Sequence, residues 1–95
     1  MKKKRILVDM TVSHLHHGHI RLLRKANKLG KVIVALTKDK EIKKNKKFSP
    51  ILNYNQRKEI LEAIKYVHKV IPSNFKITNK YLIKNKIDIL VHGSD

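Results

Sequence analysis

The stretch KVIVALT, residues 31–37, carries an unbroken apolar run between Gly30 and a lysine tract. A strand without polar alternation has both faces covered, which is the condition of a parallel sheet lying under helices. Three further short runs share its β-forming character: RILVDM (5–10), HKVIP (68–72), which Pro72 stops, and IDILVHG (87–93).

Helical patterns separate these runs. From His19 onward, Ile20, Leu23 and Ala26 recur on one face, with Leu22 and Leu29 beside it, and Gly30 closes the segment. In FSPILNYNQRKEILEAIKYV (48–67), Asn53 and Gln56 have capping-box spacing, and Ile60, Leu61, Ile64 and Val67 form the stripe to be buried. KITNKYLIKNK (76–86) reads as another helix, and the lysine-rich KDKEIKKNKK (38–47) as a loop. The order β-α-β-loop-α-β-α-β predicts one α/β domain over residues 1–95, a parallel sheet with helices on its faces and right-handed crossovers. Ligands of such sheets bind beyond the carboxyl ends of the strands. Two segments fall there: TVSHLHHGH (11–19), after the first strand, and HGSD (92–95), after the last.

The charge narrows the partners. With 23 Lys+Arg against 7 Asp+Glu, the formal net charge is +16. Nucleic acid is one reading of such a surplus. The balance within it points elsewhere, because 19 of these cations are Lys and 4 are Arg, alongside 12 Ile and 7 Asn. All three abundant types have A/T-rich codons, and nucleic-acid readers rely on the planar fork of Arg. Three tyrosines and two phenylalanines, scattered along the chain, build no stacking platform. Phosphorylated small molecules suit a positive site equally well. With no cysteine, a disulfide framework, a thiol nucleophile and a Cys-based zinc site are excluded. The apolar run after MKKKR ends at Asp9, too short for a signal peptide or a membrane span, so a cytoplasmic protein is expected.

HLHHGH (14–19) concentrates four of the six histidines in one segment. Metal binding is the first candidate. His16 and His19, three apart, share a face of the first helical turn, but zinc needs three or four ligands. Asp9, His68, His92 and Asp95 show no ligand spacing, so no metal site is expected of the chain itself. A purely structural cluster would repel itself on protonation. Anion binding explains more. A helix N-terminus offers N–H groups and the positive end of a dipole, Gly18 allows close backbone approach, and two imidazoles one turn apart add donors. In nucleotidyl transfer an oxyanion attacks the α-phosphorus of a nucleoside triphosphate. Catalysis is then largely positioning and charge stabilisation, to which imidazole donors, lysines and Mg²⁺ are suited.

HHGH (16–19) matches the HxGH motif of the nucleotidyltransferase superfamily. Residues 10–36, MTVSHLHHGHIRLLRKANKLGKVIVAL, resemble the opening of its cytidylyltransferases, the glycerol-3-phosphate and phosphonate types in particular. YNQRKEILEAIKYVHKVIP (54–72) and IDILVHGSD (87–95) resemble later blocks of that family, in the same order. The resemblance implies a Rossmann-like fold of the HxGH nucleotidyltransferase type. It implies transfer of CMP from CTP, with Mg²⁺, to a phosphorylated or phosphonate small molecule such as glycerol 3-phosphate or 2-aminoethylphosphonate, releasing pyrophosphate. By the same resemblance Thr11 and Val12 line the nucleotide pocket. His16 and His19 hold triphosphate oxygens, and His17 and Gly18 supply backbone. Lys46 touches the nucleotide phosphates, Lys44 the second substrate, within a residue or so of register. Arg57 supports the phosphate site, and Asp95 stands near the ribose or substrate. A homodimer is the assembly the family suggests.

The chain departs from the pattern in three places. Met10, Thr11, Val12 and Ser13 stand where Gly-Thr-Phe-Asp is common, and Lys65 replaces a second helix arginine. The family also runs on past the position of Asp95 into a segment of the R-T-x-x-I-S-T kind, so a C-terminally short domain is expected. A fragment, a segment supplied by a partner and reduced activity are the readings this leaves, with a non-catalytic nucleotide-binding domain and a basic nucleic-acid binder as the alternatives to an enzyme.

Overall fold

The structure, a computed structural model, describes residues 3–12, 15–46 and 51–92. Among the described residues four strands and four helices follow in the order β1 (Arg5–Met10), α1 (His17–Leu29), β2 (Lys31–Thr37), α2 (Asp39–Lys46), α3 (Tyr54–Glu62), β3 (Lys69–Ser73), α4 (Asn79–Lys84) and β4 (Ile89–His92). The strands form one sheet in the order β3-β2-β1-β4, every neighbouring pair parallel. The α/β architecture expected from the alternation is present. The two central strands are the most apolar, as burial on both faces requires: Ile6, Leu7, Val8 and Val32 through Leu36 are all fully buried.

Strand alternation sorts these side chains onto two faces. Ile6, Val8, Val32, Val34 and Leu36 pack on one face with Leu23 and Ala26 of α1 and Leu61 of α3. Leu7, Ile33 and Ala35 pack on the other, against Ile77, Tyr81 and Leu82. The Tyr81 hydroxyl donates to the Pro72 carbonyl at 2.7 Å, tying α4 to β3. Burial, with a smaller contribution from Tyr54, pushes this phenol up to about 12, so it keeps its donor proton.

α1 ends at Gly30, whose backbone is extended rather than left-handed. The glycine is required by space: a Cβ there would run into the carbonyl of Lys4, which accepts from Lys31 N at 2.8 Å where β2 begins. Gly30→Ala is expected to destabilise by about 1–3 kcal/mol, the usual cost of overpacking, read by urea denaturation.

The sequence reading needs correction in four places. Residues 39–46 form a helix, not a loop. Asp39 and Glu41 occupy its first turn, where negative charge is stabilised, and Ile42 is fully buried. One buried side chain in the lysine tract leaves no periodicity to detect. Pro72 does not stop β3, which continues to Ser73, and it pairs with Leu36. β3 is an edge strand, so the missing N–H costs the ladder nothing on its open side. The buried stripe of α3 is narrower than expected, because the helix stops at Glu62. Leu61 is buried and Ile60 is 39% exposed, while Ile64 and Val67 reach the core from the irregular turns that follow. On α1, likewise, Leu29 is 52% exposed. Among the described residues, no helix is long and apolar enough to cross a membrane.

Candidate active site

The carboxyl ends of the strands gather most of the residues singled out by sequence. β1 is followed by Thr11 and Val12, both buried. Val12 adopts φ 55°, left-handed backbone that a β-branched side chain rarely takes. Such strain costs on the order of 1–3 kcal/mol and concentrates at functional sites. Here it marks the point where the chain leaves the sheet and turns toward α1.

His16 is the N-cap of α1 and His19 its third helical residue, and the two side chains build a capping box from imidazoles. His16 Nδ1 accepts from the Gly18 N–H at 3.0 Å. His19 Nδ1 accepts from the His16 N–H at 3.1 Å. The ring centroids lie 4.1 Å apart, tilted by 41°. This geometry fixes the tautomers. A ring nitrogen that accepts from a backbone N–H carries no proton, so each neutral imidazole holds its hydrogen on Nε2. The helix start therefore carries two Nε2–H donors, one on the exposed His16 and one buried on His19.

Gly18 has a steric role at the helix start. Its N–H is spent on His16 Nδ1, and the His19 N–H goes to the His16 carbonyl at 3.0 Å. A Cβ at residue 18 would sit 2.7 Å from Cε1 of His16, so the glycine of the motif makes room for the first histidine's ring. His17 is exposed, its ring edge-on to His16 at 5.9 Å.

Two cavities flank this point. The smaller, about 280 Å³, is lined by His16, Gly18, His19, Arg21, Lys25 and His92, among others. Three imidazoles, one guanidinium and one ammonium thus surround it, and no acidic residue is among its lining. The larger, about 530 Å³, lies over the ends of β1, β2 and β3 and is lined by Asp9, Thr11, Thr37, Ser73, Phe75 and Lys76, among others. His92 borders both cavities. It pairs in register with Asp9, and its Nδ1 lies 3.1 Å from each oxygen of that carboxylate. Thr11 and Val12 are both at the end of β1, but Thr11 lines the larger cavity and not the one with the imidazoles.

Arg57 sits behind the site. It is 1% exposed. Nη1 donates to the Thr11 carbonyl at 2.6 Å, and Nη2 donates to the Thr37 carbonyl at 2.9 Å and to Asp39 Oδ1 at 2.6 Å. Nε donates to the Leu52 carbonyl at 3.2 Å. A planar fork of donors thus staples the ends of β1 and β2 to the start of α2 and to the segment before α3. The support expected of Arg57 is mechanical: the guanidinium holds the strand ends and does not line either cavity. Its acid partner comes from a distant element, which is why spacing along α3 showed none.

Lys44 is exposed on α2 and lines neither cavity, whereas its neighbour Asn45 lines the larger one. Lys46 ends α2, and its side chain lies outside the described residues, as do Ser13, His14 and Asp95. Asp39 and Ser73 were not singled out from sequence, and His92 was placed there within HGSD at the end of the last strand and weighed as a metal candidate without ligand spacing. Pro72 was a usable signal, since a residue after an edge-strand proline stands at a strand's carboxyl end. Among the described residues, no three His, Asp or Glu side chains converge as a metal site.

Comparison with known proteins fits this geometry. A family model described as cytidylyltransferase-like matches residues 11–95. Glycerol-3-phosphate cytidylyltransferase of Bacillus subtilis (strain 168) is 37% identical over 93 residues, covering 97% of this chain and 72% of that protein. The enzyme of the same name from Staphylococcus aureus (strain NCTC 8325 / PS 47) is 40% identical, covering 97% of this chain and 70% of its own length. Ethanolamine-phosphate cytidylyltransferase of Dictyostelium discoideum is 34% identical over 99% of this chain, which spans 26% of that protein. Among solved structures, the lipopolysaccharide core biosynthesis protein of Thermoplasma volcanium GSS1 superposes with a TM-score of 0.80 at 28% identity, covering 92% of this chain and 71% of that one. The chain belongs to the cytidylyltransferase-like family.

Proposed function

We propose that the chain transfers CMP from CTP to a small phosphorylated or phosphonate acceptor. An acceptor phosphate oxygen attacks the α-phosphorus, the bond from that phosphorus to the bridging oxygen of the β-phosphate breaks, and pyrophosphate leaves. The observation that carries this reading is the pair of Nε2–H donors presented by His16 and His19. In-line displacement spreads negative charge over the α-phosphoryl oxygens, and preorganised donors beside them stabilise the transition state more than the ground state. Arg21 and Lys25, which line the same cavity, add positive charge where the triphosphate tail and the departing pyrophosphate would lie. No general base is required, because the acceptor oxygen is already anionic.

Mg²⁺ enters with CTP as part of the substrate. It keeps several waters and binds mainly to phosphate oxygens, so it needs no protein cage, and when bound it neutralises triphosphate charge. The cavity over β1 to β3 supports the acceptor's place. It adjoins the imidazole cavity at His92 and offers hydroxyls and Lys76 to a polar molecule, while its one carboxylate, Asp9, is held by His92. The glycerol-3-phosphate and ethanolamine-phosphate acceptors named for the relatives are of this size and chemistry.

The test is calorimetry with Mg·CTP followed by a pyrophosphate-release assay with glycerol 3-phosphate or 2-aminoethylphosphonate. Saturable CTP binding and acceptor-dependent pyrophosphate release are expected. Binding without release under any acceptor would reduce the chain to a nucleotide-binding domain. Failure to bind CTP, with salt-sensitive DNA binding instead, would overturn the reading.

A further inference from the structure

The larger cavity has a floor of hydroxyls. Parallel register sets Thr37 beside Ser73, and it sets Met10 beside Leu36, so that Thr11 and Thr37 follow side by side. Three hydroxyl-bearing residues thereby cross the carboxyl ends of β1, β2 and β3 in a row. All three line the cavity, and they are only 5%, 5% and 2% exposed in that order. Two are satisfied within the protein: Thr37 Oγ1 donates to the Met10 carbonyl at 3.2 Å and lies 3.4 Å from Thr11 Oγ1. The third is not. Ser73 Oγ has no hydrogen-bond partner among the described residues, although the Ser73 carbonyl accepts from Lys38 N at 3.0 Å. A buried hydroxyl without a partner opposes folding and is uncommon in native proteins. Ser73 is among the residues lining the cavity, where a ligand seated at the end of β3 can supply the missing partner.

We infer that Ser73 determines acceptor specificity, its Oγ hydrogen-bonding a hydroxyl of a small polyol phosphate. This rests on the transfer reading above and names the class of acceptor within it. A rotatable serine hydroxyl both donates and accepts, which matches another hydroxyl. An ammonium group in its place would be a desolvated charge over a neutral floor. The carboxylate in this cavity, Asp9, is already engaged by His92. The aliphatic carbons of a short polyol would lie against Phe75 and Ile77, and Lys76 stands at the same wall to meet the phosphate. A site built around a hydrogen bond rejects the analogue that lacks it, since the protein group is then left unpaired.

The experiment compares the full chain with Ser73→Ala by calorimetry, in buffer and again with saturating, non-cleavable α,β-methylene CTP and Mg²⁺. The probes are glycerol 3-phosphate, n-propyl phosphate, which lacks both hydroxyls, and 2-aminoethyl phosphate. The native chain should bind glycerol 3-phosphate about tenfold more tightly than n-propyl phosphate, and Ser73→Ala should bind the two alike without losing affinity for n-propyl phosphate. The variant should melt at the same temperature or higher, because an unsatisfied hydroxyl has been removed, whereas a structural serine would lower it. The same preference in both proteins, equal binding of the two phosphates by the native chain, tighter binding of 2-aminoethyl phosphate, or no binding of any probe would each overturn the inference. CTP binding and pyrophosphate release are read separately, so a chain that transfers CMP without a Ser73-dependent preference keeps the first reading and loses this one.

Discussion

His16→Asn and His19→Gln are expected to lower kcat/KM for CMP transfer by about 10²–10³-fold each while the domain stays folded, the usual consequence of removing one preorganised donor. The two substitutions are chosen to separate capping from catalysis. Asparagine is among the best N-cap residues, and its side-chain oxygen can take over the bond from Gly18 N. Glutamine is a usual third residue of a capping box and can reach back to the His16 N–H. Each variant keeps the helix start and loses an Nε2–H. Melting temperatures should therefore change by a few degrees at most. On the proposed mechanism the double variant should lose less than the product of the single effects, since both rings would act on one phosphoryl group. Steady-state kinetics and thermal denaturation on the same samples check this. Activity that falls only in proportion to lost stability would show that the imidazoles are caps and nothing more.

Arg57→Ala is expected to destabilise the domain by about 3 kcal/mol, the lower end of the range for breaking a buried ion pair, because the Asp39 side chain is 43% exposed and partly rehydrates. The larger harm is to the carbonyls of Thr11 and Thr37, buried acceptors that lose their donor together. These are the ends of the two central strands, so activity should fall further than the melting temperature alone explains. Lysine at this position restores a charge to Asp39 but cannot span two strand ends and the Leu52 carbonyl, and should recover only part of the loss. Urea denaturation at neutral pH gives the stability, and pyrophosphate release measured well below the transition gives the activity. A variant of native stability would contradict the role assigned to the guanidinium.

Much of this molecule could be read from sequence because parallel strands buried on both faces write themselves as continuous apolar runs. KVIVALT and RILVDM need no tertiary information, and the capping box of Asn53 and Gln56 is equally local. What escaped depended on distant partners. Among its described side chains α2 buries a single isoleucine, so no apolar stripe announces the helix, and the acidic residues of its first turn are the remaining local signal. Arg57 could be suspected from its place on α3, but the four acceptors that define its task lie 5 to 46 residues away. Ser73 carried no motif at all, and its meaning arises from the register that sets it beside Thr37. The two histidines were identifiable by spacing. That His16 Nδ1 accepts from Gly18 N–H and His19 Nδ1 from His16 N–H, which sets each ring's tautomer, follows only from atomic positions.

That tautomer choice is the centre of the account and can be measured without any assay of turnover. Long-range ¹H–¹⁵N correlation spectra of the histidine-labelled protein should show His16 and His19 as Nε2–H tautomers at neutral to mildly basic pH, with both Nε2 signals moving when Mg·CTP is added. Nδ1–H tautomers in either ring, or two Nε2 resonances indifferent to the nucleotide, would contradict it.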